Sequence, residues 1–298
     1  MTFQRSIGSI ALLFAAIGSI IGSGWLFGPL YAAQIAGPAA ILSWVIGGVL
    51  MLIIAFTFAE LSSAFPVAGG MVHFADLSHG SLMSFTVGWM VWLSSMVVAP
   101  VETLAILQYA GSYIPGLVHK AGSTHALTTL GTGVAAVVMF VMNIFNWWGA
   151  KFFSRASTLV TAIKIIVPIL VVVILFTYDF HPSNFHAAGG FAPDGWHGIF
   201  AALSLGGVVY SFIGYGTVIQ MAAETKNPKR AIPLAIIGST IFCIVVYSLL
   251  QVVFVGAMKP EYLVHGWQQL SFSGDQGPFA GILIALGIEW MIVVIYAD

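Results

Sequence analysis

Lys164 is the side chain with the clearest chemical potential in this sequence, because it stands in an uncharged stretch of Ile, Val and Pro. A lysine near the middle of a lipid bilayer is costly unless it is paired or neutral. Loss of water disfavours the charged ammonium, so a lysine there can release and take up a proton. Glu102, two residues after Pro100 in another apolar stretch, has the matching chemistry of a carboxylate. We therefore predict proton exchange at Lys164 and Glu102.

Both residues also have an inert interpretation. Lys164 follows Arg155 by about nine residues, or roughly 13 Å at the rise of a helix, so its ammonium could reach the membrane surface by snorkelling. Glu102 could be a hydrated acid near the outer end of its helix. The remaining acids have weaker signals: Glu289 lies in the last apolar segment, and Glu60 and Glu224 flank segments that we interpret as cytoplasmic loops.

Residues 18–24, with the sequence GSIIGSG, lie inside an apolar run, 6–59, that contains no charged residue and no histidine. Each glycine in a helix interior costs about 1 kcal/mol relative to alanine, so this stretch predicts a break in a helix. A broken helix at membrane depth exposes backbone N–H and C=O groups that can hold a charged substrate. The alternative is a face of small residues on which two helices approach closely.

A second glycine-rich stretch, residues 206–217, interrupts the sixth apolar segment in the same way. The two interruptions lie five segments apart. An inverted repeat of five helices would produce this spacing and would bring both breaks to one substrate site. The pair of breaks favours a binding function over simple helix packing.

The composition requires that these residues be positioned by membrane helices. The sequence is 59% hydrophobic and 6% charged, whereas soluble domains carry about 25% charged residues. Cys243 is the only cysteine, which excludes internal disulfides, and the near-zero net charge indicates no nucleic-acid partner. We predict spanning helices near residues 7–31, 38–63, 82–112, 126–147, 156–177, 198–222, 233–256 and 279–298.

Orientation follows from the basic residues that flank these segments. With a cytoplasmic N-terminus, more of them lie inside than outside, as the positive-inside rule requires. The inside residues are Arg5, Lys151, Arg155, Lys226, Lys229 and Arg230, and the outside residues are Lys120 and Lys259. We expect a multi-pass protein of the cell inner membrane, with the lipid bilayer as its surroundings and its first helix retained.

Three motifs resemble those of amino acid permeases in the amino acid–polyamine–organocation superfamily. They are GSGWLF at 22–27, FPVAGG at 65–70 and ETKNPKRAIP at 224–233, and they occur in the family's order. GWLFGP at 24–29 and APVE at 99–102 are similar to a bacterial group that contains aspartate–proton symporters.

The resemblance implies an all-α leucine-transporter fold with five plus five inverted helices and broken first and sixth helices. A single transmembrane domain, 1–298, would hold a first repeat at about 7–177 and a partial second repeat at about 198–298, with apparent truncation after the eighth helix. The resemblance also implies a substrate site at the two breaks. Its predicted residues are Ser19, Ile20, Gly22, Ser23, Gly24, Tyr210, Phe212, Ile213, Gly214, Tyr215 and Gly216.

We predict a secondary transporter that imports a neutral or acidic amino acid by proton symport, with Lys164 close to the first break as the resemblance implies. The alternatives are an amino acid or polyamine exchanger or uniporter without proton coupling, and a truncated remnant that does not transport. An enzyme is not expected, because no catalytic group of His, Ser or Asp falls within the helices. We expect no cofactor and no metal site, since His73, His79, His181 and His186 lie in predicted loops. The oligomeric state stays open.

Overall fold

A computed structural model describes residues 5–22, 24–111, 114–121, 124–147, 150–270 and 277–296, and these are predominantly helical. An antiparallel hairpin, β1 Val118–Ala121 and β2 Thr124–Leu127, follows the fifth helix. The helices are α1 Ser9–Ile20, α2 Gly24–Ala36, α3 Ala40–Ala64, α4 Gly70–His79, α5 Ser81–Ala110, α6 Thr129–Trp147, α7 Ala150–Tyr178, α8 Gly195–Ser204, α9 Gly216–Gln220, α10 Pro228–Gly256, α11 Pro278–Ala285 and α12 Glu289–Tyr296.

Within the described ranges, four helical stretches are long and apolar enough to cross a bilayer, which needs about 20 residues. They are Gly24–Ala64, Ser81–Gln108, Val160–Tyr178 and Pro228–Gly256. The first of them joins α2 to α3 through a 3₁₀ turn, Gly37–Ala39. Large apolar side chains are exposed along these helices, as lipid contact requires. The prediction of a helical, multi-pass membrane protein is confirmed.

The structure differs from the predicted segments at three places. A helix, α4, fills part of the predicted loop between the second and third segments, so His73 and His79 lie on a helix. Glycines in the left-handed region stand just before and just after this helix, at Gly69 and Gly80. The hairpin was not predicted, and because of it the helix of the fourth segment begins at Thr129. The eighth segment is divided between α11 and α12 at Gly287, whose φ is +74°.

The core of the molecule forms where α1, α3 and α7 contact α10. Leu13 lies against Gly238 and Ile20 against Tyr247, so α1 and α10 run in the same direction. Because Thr161 contacts Gly18 and the Phe180 ring lies against Gly256, α7 runs in that direction too. These three parallel helices set the heights at which their side chains meet.

The N-terminal residues pair with the loop that precedes α10. The N–H of Ser6 donates to the carbonyl of Glu224 at 2.9 Å, and the N–H of Lys226 donates to the carbonyl of Ile7 at 2.8 Å. A parallel bridge therefore joins Ile7 to Thr225. At the opposite end of α10, the buried Asn184 amide donates to two backbone carbonyls, at 2.9 and 2.7 Å. Both ends of α10 are thus tied to distant segments.

Candidate functional site

The first predicted break is present as an interruption between α1 and α2. α1 ends at Ile20, the next residue is extended with ψ 95°, and α2 begins at Gly24. The last carbonyls of α1 and the first N–H groups of α2 therefore lack partners within their own helices. The end of α1 carries partial negative charge and the start of α2 partial positive charge. Ser23, a predicted site residue, lies outside the described residues.

The second break separates α8 from α9. After Ser204 the chain turns through Gly207, whose φ of +73° favours glycine, and then forms a 3₁₀ helix, Tyr210–Tyr215. The N–H of Val209 reaches back to the carbonyl of Leu203 at 3.1 Å, a spacing that no α-helix contains. The sixth segment is thus two helical pieces joined by irregular backbone.

The two interruptions touch each other. The hydroxyls of Ser19 and Thr217 are 2.7 Å apart, within hydrogen-bond distance. A Cβ placed on Gly214 would overlap the backbone of Ser19 and Ile20, so only glycine permits this approach. A Cβ placed on Gly24 would lie 3.5 Å from Oγ of Ser211. Six residues from the two predicted breaks therefore form one continuous contact.

Glu102 brings a carboxylate to this contact from α5. A Cβ placed on Gly22 would lie 2.7 Å from its Oε1, so the carboxylate occupies the space beside the first interruption. The side chain is partly buried. A carboxylate here lies close to the start of α2, where the helix dipole favours negative charge.

Lys164 approaches the same level on α7. A Cβ on Gly18 would lie 2.6 Å from the hydroxyl of Thr161, which fixes the register between α7 and α1. Lys164 stands one turn beyond Thr161 on the same face, and the interruption begins less than one turn beyond Gly18. Since the two helices are parallel, the lysine lies at the height of the interruption. It is partly buried and, in the described part of the chain, makes no hydrogen bond or ion pair.

A buried network of polar side chains on α3 and α10 bonds to α1 and α2 next to this contact. Tyr247 donates its hydroxyl to the carbonyl of Ile20 at 3.0 Å. Trp44 donates its indole N–H to Oε1 of Gln251 at 2.8 Å, and the Gln251 amide donates to the carbonyl of Pro29 at 3.2 Å. These side chains are almost completely buried, so α10 holds α1 and α2 on either side of the interruption.

Sequence reasoning missed this network. Its members lie far apart in the chain, and no local pattern connects them. One signal was available: Gln251 is a lone amide within an apolar membrane helix, where a polar side chain must find a partner.

The other predicted site residues lie around the contact rather than in it. Phe212 is buried and meets the rings of Trp44 and Tyr247 at centroid distances of 6.1 and 5.4 Å. Tyr215 is buried against Phe58. The structure leaves Tyr210 70% exposed and Ile213 47% exposed. Gly216 faces Met71 instead of the first interruption. Roles for these residues in binding stay predictions.

Known proteins resemble the chain over almost its whole length. A family model described as "Amino acid permease" matches residues 7–297. The glutamate/serine transporter AimA of Bacillus subtilis (strain 168) is 44% identical over 302 residues, which cover 99% of this chain and 55% of that protein. The aspartate-proton symporter of the same organism is 34% identical over 99% of this chain and 56% of its own length.

More distant relatives follow. The branched-chain amino acid permease BcaP of Bacillus subtilis (strain 168) is 28% identical over 99% of this chain and 62% of its own length. The chain spans about half the length of the first two of these relatives.

Proposed function

Because the chain belongs to the amino acid permease family, we propose that it carries an amino acid across a membrane by alternating access. The observation that supports this most directly is the contact between two interrupted helices, at Ser19, Thr217 and Gly214. An amino acid is a zwitterion, and an interrupted helix offers complementary ends. The amides near Gly22 and Gly24 would receive the substrate carboxylate, and the carbonyls at the end of α1 would receive its ammonium.

We assign the fold of five plus five inverted helices to this domain, with repeats at about 7–177 and 198–298. Contacts between elements support the assignment. The first segment contacts the seventh through α1 and α10, and the sixth contacts the second through α8 and α3. A pseudo-two-fold axis that exchanges segments 1 and 6, and 2 and 7, relates these two contacts.

The substrate is a neutral or acidic amino acid. The relatives support this choice, since their names specify glutamate and serine in one case and aspartate in the other. None of residues 205–217, which form the second interruption, has a carboxylate side chain that would attract a substrate with a cationic side chain.

The proposed energy source is a proton gradient, used by symport, with Lys164 and Glu102 as the coupling groups. One relative is named as a proton symporter. Both side chains lie at the height of the first interruption, so a change in either charge would act on the helix ends that hold the substrate.

The bridge between Ile7 and Thr225 supports a cytoplasmic N-terminus in the inner membrane. It brings Arg5, Lys226, Lys229 and Arg230 to one end of the molecule, and a membrane protein keeps such basic residues inside.

Ligand-induced stabilisation of the purified chain tests the substrate proposal. A ligand that binds the folded form at 100 times its dissociation constant stabilises it by about 2.7 kcal/mol. Serine, glutamate or aspartate should raise the melting temperature, and should raise it by more than putrescine does. If putrescine stabilises the chain and every amino acid fails, the substrate assignment is wrong.

A further inference from the structure

A polar pocket of about 180 Å³ lies at the end of the molecule opposite the N-terminal bridge. Three segments line it: the end of α2, the loop before α8, and the segment after α10. It is separate from the helix interruptions. At roughly 30 Å³ per water molecule, its volume holds about six waters, or a ligand of several non-hydrogen atoms.

The walls of the pocket are held by specific contacts. Gln34 donates its amide N–H to the carbonyl of Leu270 at 2.8 Å, and Trp267 donates its indole N–H to the carbonyl of Ala187 at 3.3 Å. Ala188, another lining residue, has a φ of +49°, which is uncommon for a residue with a Cβ. The hydrogen bond from Trp267 to the neighbouring Ala187 helps to hold this backbone in place.

The pocket presents oxygen acceptors and a negative charge. Asp194 occupies the N-cap position of α8, but its side chain makes no capping hydrogen bond with that helix. One of its oxygens lies 3.5 Å from the Gln268 amide nitrogen, at the limit of a hydrogen bond. The Gln34 amide donates one of its two N–H groups to Leu270, and its carbonyl oxygen is an acceptor. The described lining residues include no Lys or Arg; the one basic side chain among them is His265, which is exposed, as Asp194 is.

We propose that this pocket binds a small molecule that carries a primary ammonium group. An ammonium has three N–H donors and a positive charge, which match the Asp194 carboxylate and the Gln34 carbonyl. Such a group belongs either to an amino acid or to a simple amine. A bound ligand connects α2, the loop before α8 and the segment after α10, so it holds the outer ends of both interrupted segments together.

The test uses the whole chain carrying Gly24→Val, a substitution expected to remove binding at the helix interruptions. Calorimetric titration with serine and with ethanolamine, which lacks the carboxylate, measures what remains. Ethanolamine should bind; serine should bind as well if an amino acid is the ligand. N-acetylserine, which has no ammonium, should not bind.

Two variants locate the remaining binding. Asp194→Asn and Gln34→Leu, each in the Gly24→Val background, should weaken it at least tenfold. Asp179→Asn is the control, because Asp179 is a partly exposed acid at the same end that lies outside the pocket and contacts His181, and its substitution should leave binding unchanged. The proposed pocket is overturned if the Gly24→Val chain does not bind ethanolamine, or if Asp194→Asn and Gln34→Leu bind it as tightly as the Gly24→Val chain does. Neither result affects the transport proposal, which depends on the part of the wild type's amino acid binding that Gly24→Val removes.

Discussion

Substitution of Gly214 by alanine should weaken substrate binding by a defined amount. The new methyl group would meet the backbone of Ser19 and Ile20, which cannot rotate away as a side chain can. Overpacking costs about 1–3 kcal/mol, and rigid neighbours favour the upper value. Alanine regains about 1 kcal/mol of backbone preference over glycine. The net cost, about 2 kcal/mol, falls on the form in which the interruptions touch; because substrate binding requires that form, the dissociation constant rises by up to about 30-fold.

Gly216→Ala is the matched control for this experiment. Gly216 lies two residues away, has a helical φ of −54°, and its added Cβ would lie 3.7 Å from the flexible end of Met71. At Gly216 the same methyl group would make an ordinary van der Waals contact, so the dissociation constant should change less than about threefold. Calorimetric titration of both variants with serine or glutamate gives the comparison. If Gly214→Ala binds as tightly as Gly216→Ala, the two interruptions do not meet in the substrate-binding form.

Three further predictions concern the site and its support. Gly24→Val should remove amino acid binding at the helix interruptions while the protein still folds, because a branched side chain fills the space toward the second interruption; titration and a melting curve measure both effects. Lys164→Ala should abolish accumulation driven by a proton gradient in proteoliposomes and leave substrate exchange measurable, because the proton carrier is lost and the binding contact is not. Gln251→Leu should destabilise the fold by about 1–3 kcal/mol, since it leaves the buried indole N–H of Trp44 without a partner and removes a second bond to the Pro29 carbonyl; the exposed Gln220→Leu is its control in thermal unfolding.

Each of these predictions has a clear contrary outcome. Wild-type affinity in a folded Gly24→Val protein would remove the first interruption from the substrate site. If Lys164→Ala concentrates substrate as the wild type does, the proton takes another route and Glu102 is the next residue to test. Equal melting temperatures for Gln251→Leu and Gln220→Leu would show that the buried network adds nothing to stability.

Local sequence patterns predicted the elements that depend on local chemistry. The uncharged run at 233–256, within the helix Pro228–Gly256, could only be a membrane helix, and the glycines at 22, 24 and 207 marked both interruptions. Patterns failed where the outcome depends on packing. The stretch at 70–79 has too few apolar residues to be recognised as a helix, yet Met71 and Phe74 pack against the core and stabilise it there.

The candidate site was likewise predictable from the sequence only in part. Glycine spacing identified the backbone of the interruptions, and rare charges identified Lys164 and Glu102. The partner of Ser19 is Thr217, and no periodicity relates residues so distant. Tyr210 illustrates the converse: an aromatic residue within the interruption was an obvious candidate, but the twist of the 3₁₀ helix leaves it exposed.

The hydrogen bond between Ser19 and Thr217 has a consequence for biosynthesis. These residues are 198 positions apart, so a ribosome working at about 5–20 residues per second needs roughly 10–40 s to deliver the second after the first. Throughout that interval the newly inserted α1 and α2 hold an interruption whose final partner has not been made. Its backbone groups cannot stay bare in hydrocarbon, so water, lipid headgroups or the insertion machinery must satisfy them until the sixth segment arrives. Arrival of that segment is then the step that closes the centre of the molecule.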